Sequence, residues 1–280
     1  MAGRGDGGEA LRIAYRDWGG TGEPLVLLHG LSSNSRIWDL TAPLLADRFH
    51  VVAIDQRGHG LSDKPSSYTA AEWTSDVVGV LDHLGFDRTA FAGHSWGASV
   101  ALQFAAENPE RAIAIALVDG GISEISSRMT WEQAEERMRP PEIDGVPLER
   151  FVGFAKQWPD MAPLWNEQVK QMVLSNFDVR EGKIYRHLTI ENHMKILRAM
   201  YEQKTSAMLG QVACPALVII ANQERDNEES RRWAEFRREG AGLAEEALKD
   251  GRIVWMDDTI HDIPVQRPRE LAEALLSLAG

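Results

Sequence analysis

Five short apolar runs punctuate the chain: Leu25–Leu28, Phe49–Ile54, Ala90–Ala92, Ile113–Val118 and Pro215–Ala221. Runs of this length with little alternation suit strands buried on both faces of a parallel sheet. Leu11–Trp18 alternates instead, as an outer strand would, and Gly19–Pro24 reads as a turn. Between the runs lie helical patterns over Trp38–Ala46 and over Ala71–Leu84, where Val77, Val78, Leu81 and Leu84 recur and Gly85 stops the helix. A charged helical stretch, Glu228–Lys249, a strand at Arg252–Met256 and a helix at Pro268–Leu278 close the sequence. Strands alternating with helices predict an α/β fold: a mostly parallel central sheet with helices on both faces. The alternation breaks at Ile122. Up to about Gly210 there is no convincing buried strand, only amphipathic pieces such as Glu167–Leu174 and Asn192–Tyr201, with prolines and Trp131, Trp158 and Trp165. Residues 122–210 are therefore expected to form an inserted helical lid between two parts of one core, 1–121 and 211–280.

Ligands on such sheets bind at the carboxyl ends of the strands. The strongest chemical signal lies at one of them. Ala90–Ala92 runs into Gly93-His94-Ser95-Trp96-Gly97 and then an alanine-rich helix. A strand that reverses this sharply into a helix brings backbone against the turn, so a Cβ at Gly93 or Gly97 should collide with it. Ser95 stands at the apex, where its Oγ projects above the sheet, and the following amide, on Trp96, sits at a helix N-terminus able to donate to an oxyanion.

Composition narrows the rest. At 280 residues and 44% hydrophobic the chain can bury a large core. A single cysteine, Cys214, excludes an internal disulfide and suggests a reducing, cytoplasmic setting. Residues 1–10 are glycine-rich and charged, unlike a secretory signal, and no apolar run is long enough to span a bilayer. A net charge of −12 argues against nucleic acid as a partner and is read as solubility. The partner expected is a small-molecule substrate. No histidines share metal-ligand spacing with other ligands, so neither metal nor cofactor is expected.

The chain resembles the α/β-hydrolase family, in its capped serine-hydrolase form. The resemblance rests on His29-Gly30, the Asp55–Pro65 loop (DQRGHGLSDKP), the GHSWG turn and His261, and covers everything but the lid. It implies a Ser, acid, His order, with Ser95 as nucleophile and His261, in the loop after the last strand, as its base. A serine hydroxyl needs such a base within hydrogen-bond reach. It also implies an oxyanion hole made by the amides of Trp96 and of Leu31. Most members carry the acid as Gly-x-x-Asp after the strand that follows the lid. Here that strand continues Ala221-Asn222-Gln223-Glu224-Arg225-Asp226, which puts alanine where glycine is expected and Glu224 where aspartate is expected, with Asp226 two residues late. Some members place the acid one strand earlier, and Asp119, followed by Gly120-Gly121, stands there. The candidates for the acid are thus Asp119, Glu224 and Asp226.

A serine at the apex argues against the epoxide hydrolases and haloalkane dehalogenases, which use aspartate. The expected activity is hydrolysis of an ester or lactone through an acyl-enzyme. A C–C bond hydrolase, a thioesterase, an aminopeptidase or a non-catalytic ligand receptor on this frame are the alternatives. An aminopeptidase needs acidic lid residues for a free amine, and none stands out among Glu132, Glu135, Glu136 and Glu142. The lid tryptophans and Met129, Met138, Met161 and Met172 would either line an apolar pocket or pack lid on core. Of the remaining histidines, His29 and His59 are expected to be structural, His94 to point away from Ser95, and His187 and His193 to face substrate or solvent. The Trp96 indole is a candidate wall of the acyl pocket.

Overall fold

In a computed structural model, residues 11–223 and 228–278 are described. The chain runs through β1 (Tyr15–Gly19), β2 (Glu23–Leu28), β3 (Phe49–Ile54), α1 (Ala70–Leu84), β4 (Thr89–His94), α2 (Trp96–Glu107) and β5 (Ala112–Val118). After β5 come α3 (Trp131–Met138), α4 (Leu148–Ala155), α5 (Glu167–Leu174), a hairpin of β6 (Phe177–Arg180) and β7 (Lys183–Arg186), then α6 (Ile190–Glu202) and α7 (Thr205–Leu209). The last part is β8 (Ala216–Asn222), α8 (Glu228–Ala247), β9 (Gly251–Asp257), α9 (Ile263–Gln266) and α10 (Pro268–Leu276).

Seven strands form one sheet in the order β1-β3-β2-β4-β5-β8-β9, parallel except for β1 at the edge. Alternate residues of each inner strand serve opposite faces, as the strand's two-residue period requires. Val26, Phe91, Ile115 and Val218 point into a core shared with α1, α2 and α8. Leu25, Ala90, Ala114 and Leu217 point into a second core closed by α10 and the 38–45 segment. Both faces are dry, which is why these strands read as unbroken apolar runs. Helix α1 is bounded by a Thr69–Glu72 capping box and by Gly85, whose φ of 70° suits a glycine stop.

Two local readings change. Residues 38–46 are not one helix but part of two 3-10 turns, Ser35–Trp38 and Ala42–Leu44. Pro43 lacks an N–H and its ring would strike the carbonyl four residues back, so a continuous helix is barred. The 122–210 insert also contains a β-hairpin, turning at Glu181-Gly182 with both φ positive (51° and 71°). The alternating F-D-V-R and K-I-Y-R flanks of that E-G pair carried the signal.

Residues 122–210 follow the carboxyl end of β5, and the chain re-enters the sheet at the amino end of β8. Small clusters of its own hold it together, Phe151, Ala155 and Ile184 in one, and Met161 and Val169 around Ile260 of the core in another. Trp131 packs on Tyr201 with Arg198 over its ring, and Trp158 against Phe151, so these two serve packing within the insert. No helix among the described residues is long and apolar enough to cross a membrane.

Candidate active site

The β4–α2 turn is built by exclusion. A Cβ on Gly93 would lie 2.2 Å from the Gly97 carbonyl oxygen, and one on Gly97 would lie 2.3 Å from that of Leu28. Only glycine fits at either position, so β4 can reverse into α2 within one residue. Ser95 bears the strain, at φ 55°, ψ −120°, a conformation that costs a non-glycine residue on the order of 1–3 kcal/mol. Its amide is tied to the Val118 carbonyl (2.9 Å) and its own carbonyl accepts from Ala98 (3.0 Å), so the apex is fixed from both sides. Gly120, beyond β5, presses on the same residue: a Cβ there would lie 2.2 Å from the Ser95 carbonyl oxygen.

Asp119 ends β5 at φ 45° and is buried. Oδ1 accepts from the Ala221 amide (3.0 Å) and from Arg237 Nε (3.1 Å); Oδ2 accepts from Arg237 Nη2 (3.0 Å) and from His261 Nδ1 (2.6 Å). Burial alone would raise its pKa, but the hydrogen bond and charge of His261 and the Arg237 guanidinium outweigh it and hold the carboxyl at about 2. His261 sits in the loop after β9, where Met161 and Val169 of the insert cover the preceding Ile260. Desolvation works to lower its pKa; the Asp119 hydrogen bond and charge reverse this and raise it. With its proton on Nδ1, the ring keeps Nε2 free as the basic position. The His261 side chain is 47% exposed against 2% for Asp119, so the base faces outward from a dry anchor.

Ser95 itself is half-buried, and among the described residues its hydroxyl makes no hydrogen bond. The acid–base half of the arrangement is closed and the base–nucleophile half is open. Catalytic hydrogen bonds of unliganded sites are often long and tighten only with substrate. His94 brings the two halves together. Its Nε2 donates to the His261 carbonyl (2.9 Å) and its ring lies 4.8 Å from that of His261. It therefore turns toward the base's loop, a role its position next to Ser95 did not disclose. Burial, with the nearby His261 charge, lowers its pKa to about 4, so it stays neutral.

Opposite Ser95 runs the loop after β2. Gly30 lets it approach: a Cβ there would be 3.1 Å from Ser95 Cβ. His29 Nδ1 donates to the Gly30 carbonyl (2.8 Å) while Nε2 accepts the Gln56 amide (3.0 Å). His59 Nε2 accepts the Ser32 amide (3.2 Å). Burial lowers the pKa of both rings and keeps them neutral, as these roles require. Among the described residues the amides of Leu31 and Trp96 have no acceptor. For Trp96 this follows from its place in the first turn of α2, whose donors have no partner within the helix. The Trp96 indole is fully buried, stacked on His59 and edge-on to Trp73; it belongs to the core and walls no acyl pocket.

The structure thus brings together Ser95, Asp119, His261, Leu31 and Trp96 at the carboxyl ends of β2, β4, β5 and β9. Glu224 and Asp226 lie outside the described residues. His193 of α6 is buried and bonds the Ser32 hydroxyl through Nδ1 (2.8 Å) and the Met138 carbonyl through Nε2 (3.3 Å). Nothing in the sequence signals this link, nor Arg237, one arginine among several in a charged helix. No group of three or more His, Cys, Asp or Glu among the described residues could hold a metal ion.

Comparison with known proteins places the fold in a family. A profile described as the alpha/beta hydrolase family matches residues 25–274. A putative carbamate hydrolase of Klebsiella pneumoniae is 28% identical over 217 residues, 75% of this chain and 77% of that protein. Other curated relatives match over less, and the matched stretch spans about a third of their length. One is the epoxide hydrolase 1 of Caenorhabditis elegans, 39% identical over 104 residues, 36% of this chain and 26% of that protein. Among solved structures, an E-2-(acetamidomethylene)succinate hydrolase superposes with a TM-score of 0.75 at 19% identity, covering 96% of this chain and 95% of that one. The enol-lactonase of Burkholderia xenovorans gives 0.73 at 21%, covering 96% of each.

Proposed function

The chain belongs to the alpha/beta hydrolase family, and on that premise we propose that it is a serine hydrolase cleaving a carboxylic ester or lactone of a small, largely apolar substrate. Ser95 Oγ attacks the carbonyl carbon while its proton passes to His261 Nε2. The negative charge on the tetrahedral oxygen is held by the Leu31 and Trp96 amides, each such donor worth about 3–4 kcal/mol in the transition state. The carbonyl C–O bond to the alcohol breaks, and the leaving oxygen takes the proton back from His261; in a lactone it stays attached as a hydroxyl. Water then gives a proton to the same nitrogen and its oxygen to the acyl carbon, and Ser95 departs with that proton, leaving a carboxylic acid. Asp119 holds the imidazole in the needed tautomer and stabilises the imidazolium.

The observation that carries the reading is the 2.6 Å bond from His261 Nδ1 to a buried Asp119, beside a serine strained to φ 55°. A relative named for carbamate hydrolysis is in keeping with attack at a carbonyl. The relative named an epoxide hydrolase performs a chemistry that the family resemblance ties to aspartate, whereas residue 95 is serine. Residues 122–210 act in this reading as a lid, seated next to His261 by the packing of Met161 and Val169 on Ile260. The test is turnover of p-nitrophenyl butyrate and of a simple lactone by wild type and Ser95→Ala, with fluorophosphonate labelling followed by mass spectrometry. An inert, unlabelled wild type, or an equally active variant, ends the proposal.

A second reading, a ligand receptor on the same frame, is favoured by one observation: among the described residues the Ser95 hydroxyl makes no hydrogen bond. One slow turnover that leaves the protein modified would select it; many turnovers per chain would reject it.

A further inference from the structure

Asp119 has a second cationic partner besides His261. Arg237, on α8, meets the carboxylate at two points, Nε on Oδ1 at 3.1 Å and Nη2 on Oδ2 at 3.0 Å. His261 binds the same Oδ2. One oxygen therefore divides its lone pairs between an imidazole and a guanidinium, and the guanidinium is charged at every working pH. The pairing is not a loose surface contact: the Asp119 side chain is 2% exposed and that of Arg237 24%. Resting on the catalytic reading above, we propose that Arg237 is a positioning residue for this centre, pinning the Asp119 carboxylate by two points and drawing part of its charge away from His261.

The need for such a support follows from where the acid stands. Asp119 sits at φ 45°, just beyond the end of β5, in a region of backbone space that few residues other than glycine, asparagine and aspartate adopt. Unsupported, its carboxylate could rotate away from the imidazole. Three donors prevent this, the Ala221 amide, Arg237 and His261, and the first two come from β8 and α8. The unit that carries the acid in most of the family here contributes the clamp that holds it.

The clamp also affects the base. Three charged groups bear on His261, with the neutral His94 ring beside it: Asp119 and Asp262 favour its charged form, while Arg237 opposes it. Removing Arg237 leaves Asp119 bonded by Ala221 and His261 and still ionised. The whole carboxylate charge then acts on the imidazole, whose neutral form is reached only at higher pH. Since attack by Ser95 needs neutral His261, the acid limb of kcat/KM should move up.

Two readouts test this. The first is the pH dependence of kcat/KM for p-nitrophenyl butyrate in wild type, Arg237→Gln and Arg237→Lys. The second, free of turnover, is NMR titration of the His261 ring, assigned by its loss in His261→Gln. Arg237→Gln should raise both the limb and the titration midpoint by about half to one pH unit. Arg237→Lys keeps the charge and loses the fork, so its midpoint should stay near wild type while the high-pH plateau falls. Arg237→Met replaces the Gln variant should that one not fold. Midpoints that do not move on removing the charge overturn the proposal, as does unfolding of both neutral variants, which would make Arg237 purely structural. A wild type that never turns over or labels at Ser95 would sink the hydrolase reading, yet the NMR titration would still decide the part played by Arg237.

Discussion

Around Ser95 the chain is held by main-chain sterics; across residues 122–210 it is held by exchangeable side-chain contacts. At the β4–α2 turn, Gly93, Gly97 and Gly120 each face a backbone atom within 2.3 Å of where a Cβ would be. In the insert, Gly145, Gly153 and Gly182 face nothing within 4 Å. The turn lies between two dry cores, whereas the insert is stitched by small apolar clusters and leaves Phe154 and Trp158 exposed. The contrast assigns the two regions different work. Chemistry needs atoms placed to a fraction of an ångström, and the packed backbone provides that. Residues 122–210, a cover in the proposed function, rest on side-chain packing that can give way. Where the two regions meet, apolar packing (Leu188, Ile196 and Leu209 in the main core, Met161 and Val169 on Ile260) is joined by polar contacts, Ser32 with His193, and Asn34 with Ser175 and Asn176.

The comparison can be broken or sharpened by substitution. The largest expected effect is at the acid. Asp119→Asn should lower kcat about 10³–10⁴-fold, because the amide can no longer hold the Nδ1–H tautomer or offset the imidazolium; steady-state kinetics on the ester substrate check it. Next, Gly97→Ala should cost about 3 kcal/mol or more in urea unfolding, since the new methyl meets the Leu28 carbonyl with no room to shift. Wild-type-like stability in that variant would contradict the steric account. In wild type, the acid limb of kcat/KM should lie above the ordinary histidine value of 6.5, because His261 is raised and must be neutral to act. A limb below 6.5 would show that Asp119 does not face the working base.

Smaller effects belong to the insert. Ser32→Ala removes the bond to His193 beside the Leu31 amide and should cost about 1 kcal/mol. If that link steadies the oxyanion loop, the loss appears in kcat as a change of up to about tenfold and leaves KM nearly unaltered. Gly153→Ala, within α4 and facing open space, should stabilise by roughly 0.5–1 kcal/mol. Thermal unfolding of Gly97→Ala and Gly153→Ala side by side gives opposite signs if the two regions differ as described.

How much of this could be read beforehand differs by residue. The turn was legible because its signature is local: strand, glycine, serine, glycine and helix follow one another, although the backbone that Gly97 meets is that of Leu28 on a neighbouring strand. The inner strands were legible because burial on both faces leaves an unbroken apolar run. Over 38–46 the apolar spacing suggests one helix, but Pro43 divides it. The β6–β7 hairpin is faint in the sequence because its strands are only four residues long and bury little beyond Ile184.

What the linear order determined by itself was the sheet, its two-sided cover and the serine at its apex, since each depends on neighbours along the chain and on period-two or period-3.6 burial. Only the tertiary structure decided which carboxylate meets His261, that Arg237 shares it, that His94 faces the base's loop, and that His193 reaches Ser32. Those partners lie 142, 118, 167 and 161 residues apart. No local preference selects among the chain's many aspartates, arginines and histidines over such separations. The choice is made when strand ends from distant parts of the sequence come to lie side by side.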